Sequence, residues 1–458
     1  MKTKDLTRAR QLSDSGDPEG AWRLIEPHLM RDPDDRQALC VAAFVLRKAG
    51  RLPMAHAFAR RLTQLEPGEA TGWINYGQIC NELFQLDEGE AAYREGLKVA
   101  CDPTSLGMLY TNLSALLIDH GRFAEALPLT DLALKATPES KGARANRGFC
   151  QLALKNYAEG WKNYHACVGT SSRRKVQYKG EPEWDGTPGK KVVLYGEQGI
   201  GDEICFASMV PDALRDCAKV VLDVDARLTG LFRRSFPKAI TYGTRHATAA
   251  DGIHWAPKDC DFDASLSLGC LGEYYRTNAE SFPSTPYLIA DPERILMWKA
   301  LFRSKAKPVI GIAWTGGTWS SGSTFRQLKL AQLRPLFEAV DAHWVSLQYK
   351  NAQPEIDALR GVDIRQYPHA TLTKDYDDTA ALVASLDAVV SIPTAVVHLA
   401  GGLGIPCIAM NSPAACWKFT AGLPFHPGVE IVPHRQNWGK TVRDAAEKLT
   451  GFRQQVAA

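Results

Sequence analysis

The sequence has no C-x-x-C pair, and its eleven cysteines, an odd number scattered from Cys40 to Cys416, form no His/Cys grouping at zinc spacing. This argues against a disulfide framework and a sequence-local zinc site, and fits free thiols in a reducing compartment. No stretch approaches 18 consecutive apolar residues, and the start, MKTKDLTRARQLSDSGD, is basic without the apolar segment of a signal peptide. The expectation is a cytoplasmic protein with neither signal peptide nor membrane span. Charge of one sign is also lacking: 54 Lys and Arg against 51 Asp and Glu leave a net +3. A nucleic-acid binder carries a concentrated basic excess, which is absent here. The nearest basic run, RRK at 173–175, reads as a solvated linker.

What remains is ordinary globular composition, 45% hydrophobic and 23% charged, over 458 residues. That length exceeds one core and suits two or three domains.

The first third is periodic. Small residues pair twelve apart: Ala9 with Ala21, Ala43 with Ala55, Gly77 with Gly89, Ser114 with Ala126, Gly148 with Gly160. Successive pairs begin 34, 34, 37 and 34 residues apart, and Pro33, Pro67, Pro103 and Pro138 recur at nearly the same period, as if closing each unit. Between them apolar residues fall at helical spacing, as in TGWINYGQICNELFQL. The pattern resembles the tetratricopeptide repeat, whose small residues let two helices approach closely. Trp73, Gly77, Gly89 and Tyr93 in one unit match it, as do Tyr110, Leu113, Ala126, Ala133 and Pro138 in the next. Five units over residues 1–168 are expected. Such a stack either binds extended peptides or partner helices, or serves as a scaffold.

Residues 169–190 lose the periodicity and read as a linker. Short β-rich runs then alternate with helical stretches: KVVLYG, AKVVLDV, KAITYG and FDASLSL as strands, with helices over 204–215 and 229–235. After a helix over 292–303, the alternation restarts with KPVIGIAW, HWVSLQY, VDIRQY, DAVVSI and PCIAMN. Two α/β domains, 191–305 and 306–458, facing across a cleft are expected. This is the GT-B arrangement, though a dehydrogenase fits the same alternation.

Two loops narrow the chemistry. GEQGIGDE (196–203) fails as a Walker A loop, having no Lys-Ser/Thr after its glycines. It fails the dinucleotide fingerprint too, because Ile204 replaces the third glycine. Asp202 and Glu203 would also repel a diphosphate. With Gly199 and Gly201 the loop suits presentation of a carboxylate on the acceptor side, with Asp202 either a general base or a plain helix N-cap. In LDAVVSIPTAVVHLAGGLGIPCIAM (386–410), Pro393 suits a first helical turn, and the amides of Thr394, Ala395 and Val396 would face the cleft with no acid beside them. A diphosphate fits there better. Gly401, Gly402 and Gly404 suit close packing of helix on sheet.

These motifs, with GIAWTGG, SLQ, DDTAALVASLD and HRQNW, resemble the heptosyltransferase-like (GT9-type) glycosyltransferases, especially members fused to tetratricopeptide repeats. The likeness spans about 190–440. It implies a GT-B fold and transfer from a nucleotide-activated sugar with inversion, without a metal or other cofactor. By the same resemblance Asp202 deprotonates the acceptor hydroxyl, and the donor phosphate lies at Thr394, Ala395 and Val396, with His398 in the same helix. The family's Asp before that Thr is Pro393 here, which places the identity of the donor in question. Its basic residue after the G-I-A-W strand matches Arg326, with Lys329 second, each weighed against a surface role. Trp314 and Gly316 are placed to line the donor pocket, although Trp314 also suits a core. Asp377, Asp378 and Thr379 read first as helix caps. His398, on an apolar face, reads first as a packing residue.

Three functions are then open. The first is transfer to Ser or Thr hydroxyls of a protein recruited by the repeats; the resemblance implies flagellin, with a CMP-activated nonulosonic acid or an ADP-, UDP- or GDP-sugar as donor. The second is a lipopolysaccharide heptosyltransferase-like activity, against which the repeats argue. The third is a non-catalytic adaptor or chaperone with a degenerate nucleotide-binding domain.

Overall fold

The small residues that recur twelve apart are where the helices of the first unit cross. The computed structural model describes residues 3–170, 173–245, 261–283, 285–302, 307–317, 326–414, 416–435 and 437–456, in two units, Met1–Cys150 and Gln151–Ala458. In the first, α1 (Thr3–Asp14) packs with α2 (Pro18–Arg31), α3 (Arg36–Lys48) with α4 (Leu52–Leu65), α5 (Ala70–Leu83) with α6 (Leu86–Val99), and α7 (Pro103–Asp119) with α8 (Phe123–Ala136). Ala9, Ala21, Ala43, Ala55, Ser114 and Ala126 are fully buried at these crossings. At Gly77 a Cβ would stand 2.5 Å from the Tyr93 ring, so only glycine lets α5 and α6 meet there. Asp17, Asp35 and Asp102 cap α2, α3 and α7 by accepting the N–H groups of Gly20, Ala38 and Ser105.

Pro103 does not close a unit. It lies in the first turn of α7, where its missing N–H costs nothing, whereas Pro33, Pro67 and Pro138 stand in the links between pairs. The boundary between the two units falls inside α9 (Lys141–Ala153), so α10 (Tyr157–His165) lies in the second.

The second unit holds two parallel sheets. In the first, β1 (Lys191–Tyr195), β2 (Lys219–Asp223), β3 (Ile240–Tyr242) and β4 (Ala264–Ser267) run in the order β3-β2-β1-β4. In the second, β5 (Val309–Ala313), β6 (His343–Ser346), β7 (Ile364–Gln366), β8 (Ala388–Ser391), β9 (Cys407–Met410) and β10 (Val429–Val432) run in the order β10-β9-β8-β5-β6-β7. Both orders reverse beside their first strand, the Rossmann pattern, with switch points between β1 and β4 and between β5 and β8. The fold is therefore an all-α repeat array of tetratricopeptide type followed by two Rossmann-like parallel sheets with their helices.

The expected strands are all present, and β10 is an addition. The helix expected over 204–215 is broken into α11 (Ile200–Phe206), a 3-10 turn at Ala207–Met209 and α12 (Val210–Asp216), with Pro211 in the first turn of α12. Four further helices bear on the candidate site: α13 (Thr229–Ser235), α14 (Pro292–Phe302), α15 (Tyr376–Val383) and α16 (Ala395–Leu403). The two sheets' lobes are tied by Arg234 of α13, whose guanidinium donates to both oxygens of Asp377 of α15 at 2.7 and 2.8 Å. No helix among the described residues is long and apolar enough to cross a membrane.

Candidate functional site

The β1 loop is built by its own glycines and acids. At Gly196 a Cβ would collide with the Glu203 carboxylate, 2.3 Å from its Cδ. Glu203 is buried, accepts the Asp225 N–H at 2.9 Å and pairs with Arg245. Glu203, expected as part of the acceptor-side loop, stabilises that loop from inside, while Asp202 beside it points elsewhere, because consecutive residues on a helix point in different directions. Gly199 is the N-cap of α11, so Asp202 is not a plain cap. Its carboxylate instead leaves the helix and accepts from the Nζ of Lys418 at 2.5 Å.

Lys418 lies on α17 (Trp417–Thr420). Burial is the largest influence and disfavours its ammonium, but the Asp202 carboxylate together with Cys416, Tyr164 and Cys205 offsets it and holds the pKa well above the ordinary lysine value. The ammonium also sits 5.3 and 5.5 Å from the Phe206 and Trp417 ring centroids.

Gly201 brings the two lobes together. A Cβ there would stand 3.1 Å from the Ala395 Cα and 3.3 Å from His398 Cδ2. This glycine thus makes room for α16 rather than for an acceptor, and its neighbour Asp202 is held beside the start of that helix. Thr394 caps α16 with extended backbone, and Pro393 stands before the cap rather than within the first turn. The first-turn N–H groups belong to Ala395 and Val396; that of Val397 already bonds Thr394 O at 3.1 Å.

The same point is the switch between β5 and β8. Gly316, just past β5, would drive a Cβ to 2.4 Å from Thr394 Cγ2. Its N–H bonds Arg326 O at 3.1 Å, while Arg326 Nη1 donates to Pro393 O at 3.2 Å. Burial draws this guanidinium below its usual range. Arg326, Gly316 and Thr394 thus converge at one crevice, whereas Lys329 is exposed.

Two expected pocket residues do not converge there. Trp314 is wholly buried in the hydrophobic core of the second sheet, which also includes Leu330 and Leu333, its Nε1 donating to Glu355 at 3.3 Å. His398 is buried behind the Asp202 loop, its Nδ1 3.1 Å from Nε2 of His426. Burial, then the Lys418 ammonium, push its pKa down to about 3, which keeps the ring neutral. Asp377, Asp378 and Thr379 are not caps: the cap is Asp375, while Asp377 and Asp378 pair with Arg234 and Arg294 and the Thr379 hydroxyl donates to Ala370 O at 2.6 Å.

Among the described residues, Cys205, His398 and His426 form one group whose donor atoms lie within 4.8 Å of one another, and His56, Cys80 and Glu88 form another. The histidine pair of the first is already hydrogen-bonded within itself. In the second, the Tyr76 hydroxyl and His56 both engage Glu88.

Lys418 is the member that sequence reasoning missed, for no motif marks it. Arg173 is another. From the linker its Nε donates to Glu197 at 3.0 Å, its Nη1 to Tyr164 O at 2.8 Å and its Nη2 to Ser267 at 3.1 Å. Gln198 of the same loop donates to the Tyr164 hydroxyl at 2.8 Å. Arg173 is buried and fills the crevice between β1 and β4, so it is no part of a solvated run.

The fold defines a class: a tetratricopeptide-type array joined to a unit of two Rossmann-like sheets, in which the loop after the first sheet's β1 meets the start of a helix in the second. The chain resembles repeat-fused, heptosyltransferase-like proteins of that class. Among curated proteins it is similar to Protein FlbA of Caulobacter vibrioides, 29% identical over 462 residues, covering 95% of this chain and 76% of FlbA. Among solved structures it is similar to E. coli ADP-heptose lipopolysaccharide heptosyltransferase II, at 15% identity over 58% of this chain and 100% of that one, TM-score 0.42. A tetratricopeptide-repeat protein of Thermus thermophilus matches at 18% identity over 36% of this chain and 88% of that one, TM-score 0.32. No family model matches the chain.

Proposed function

We propose that this chain is an inverting, metal-independent glycosyltransferase that moves a sugar from a nucleotide-activated donor to Ser or Thr hydroxyls of a protein held by the repeats, with flagellin as acceptor. In this reading Asp202 takes the acceptor hydroxyl's proton. The acceptor oxygen bonds the anomeric carbon as the bond from that carbon to the phosphate oxygen breaks, and the phosphate leaves with the electron pair. Arg326 and the amides of Ala395 and Val396 receive the donor phosphate. A neutral Pro393 in place of an acid removes one repulsion from that position.

The observation that carries the reading is the contact of Gly201 with Ala395, which sets the Asp202 loop against the helix start at a switch point. A base and a leaving-group site must be neighbours for in-line displacement, and the approach of the Asp202 loop to the start of α16 supports that reading. The test is intact-mass spectrometry of flagellin incubated with the full chain and CMP-N-acetylneuraminic acid, ADP-glucose, UDP-N-acetylglucosamine or GDP-mannose. A sugar-sized increment with one donor supports the reading; unchanged flagellin mass with all four counts against it.

A further inference from the structure

The Asp202 carboxylate has a fixed partner, and the proposed chemistry would remove that partner's counter-charge. Lys418 Nζ lies 2.5 Å from Asp202 Oδ1, with the lysine side chain 7% exposed and the carboxylate 28%. Among the described residues Asp202 is the one carboxylate paired with it. When Asp202 accepts the acceptor's proton it becomes a neutral acid, and a buried ammonium is left without its anion. In the same step negative charge grows on the departing phosphate. The two places adjoin, because Gly201 rests on Ala395 and the Lys418 charge is felt at His398, three residues further along α16.

We infer that Lys418 is a catalytic cation that changes partners: it pairs with Asp202 in the resting site and with the departing phosphate as the sugar leaves. This inference rests on the roles proposed above for Asp202, Arg326 and the amides of Ala395 and Val396. An interaction gained only on the way to the transition state raises kcat without tightening donor binding. Before proton transfer the ammonium is engaged by Asp202 and adds little to nucleotide affinity; afterwards it is free to stabilise the leaving group.

The test uses the full chain as wild type, Lys418→Met, Lys418→Arg, Asp202→Asn and the Asp202→Asn/Lys418→Met double variant. CMP, ADP, UDP and GDP serve as probes of binding by calorimetry, and sugar transfer to flagellin reports kcat. Lys418→Met should lower kcat about 100-fold, the scale of one preorganised stabilising group, with nucleotide affinity little changed. Lys418→Arg, which keeps the charge, should recover part of the rate. Asp202→Asn frees the ammonium, so it should bind the nucleotide about tenfold more tightly, as one charge-assisted hydrogen bond would. That gain should vanish in the double variant.

A Lys418→Met enzyme with wild-type kcat overturns the inference, as does a gain in nucleotide affinity on Asp202→Asn that is equal with and without Lys418. The second result would reduce the effect to lost carboxylate repulsion. Undiminished transfer by Asp202→Asn would instead overturn the base assignment beneath it, and no binding of any of the four nucleotides to wild type would overturn the phosphate site.

Discussion

Arg173 of the linker and Glu197 of the β1 loop form a buried ion pair with side chains 2% and 3% exposed, filling the crevice where the first sheet reverses its strand order. The matching crevice of the second sheet holds Arg326 and Thr394 instead. Both sheets reverse their strand order beside the first strand, but a buried ion pair fills the switch point of the first.

Removing one partner of that pair should therefore be costly. Arg173→Ala leaves the Glu197 carboxylate buried with Ser267 in place of its cation, a loss of about 3–5 kcal/mol. Denaturation of the second unit, followed by tryptophan fluorescence, should shift accordingly.

Contact between the Asp202 loop and α16 is tested at Gly201. A methyl group there meets Ala395 backbone at 3.1 Å, and backbone cannot swing aside. Gly201→Ala should destabilise by about 1–3 kcal/mol and lower transfer more than nucleotide binding, read by thermal melts and by kcat against Kd.

Arg326→Gln tests the donor side. Nucleotide affinity should fall about 10- to 100-fold, the worth of a charged hydrogen bond to phosphate, with the melting temperature unchanged. Calorimetry with the nucleotide that binds wild type measures both the loss and its enthalpy.

A pH effect is expected in the repeats. Burial raises the Asp119 carboxyl to about 6, despite the Asn81 amide at 3.5 Å, from an ordinary 3.8. The folded array must carry that buried charge above pH 6, a penalty of about 3 kcal/mol at 1.36 kcal/mol per unit that is absent below pH 3.8 and grows between the two values. Asp119→Asn should stabilise the array at pH 7 and not at pH 3.5, checked by urea unfolding at both.

Much of this architecture can be read along the chain. The repeat follows from small residues at a fixed period, and the strands follow from short β-rich runs, because both signals are local. β10 is harder: Val429–Val432 is four residues behind a proline and a glycine, too short to assert a period. Asp202 and Thr394 stand out through their loops. Lys418 does not, because it meets Asp202 across 216 residues and looks in sequence like any lysine near a helix. Glu203 and Trp314 mislead for a related reason: the motif carries the loop or strand end, while side-chain direction is decided by packing. Arg173, in a basic tripeptide, is buried only because a vacant crevice and Glu197 await it.

The most direct test of the account is the rate of sugar transfer to flagellin by Asp202→Asn against wild type at saturating donor. Transfer should fall at least about 100-fold while the protein still melts as wild type and still binds flagellin. Transfer at the wild-type rate would contradict the assignment of Asp202 as the base.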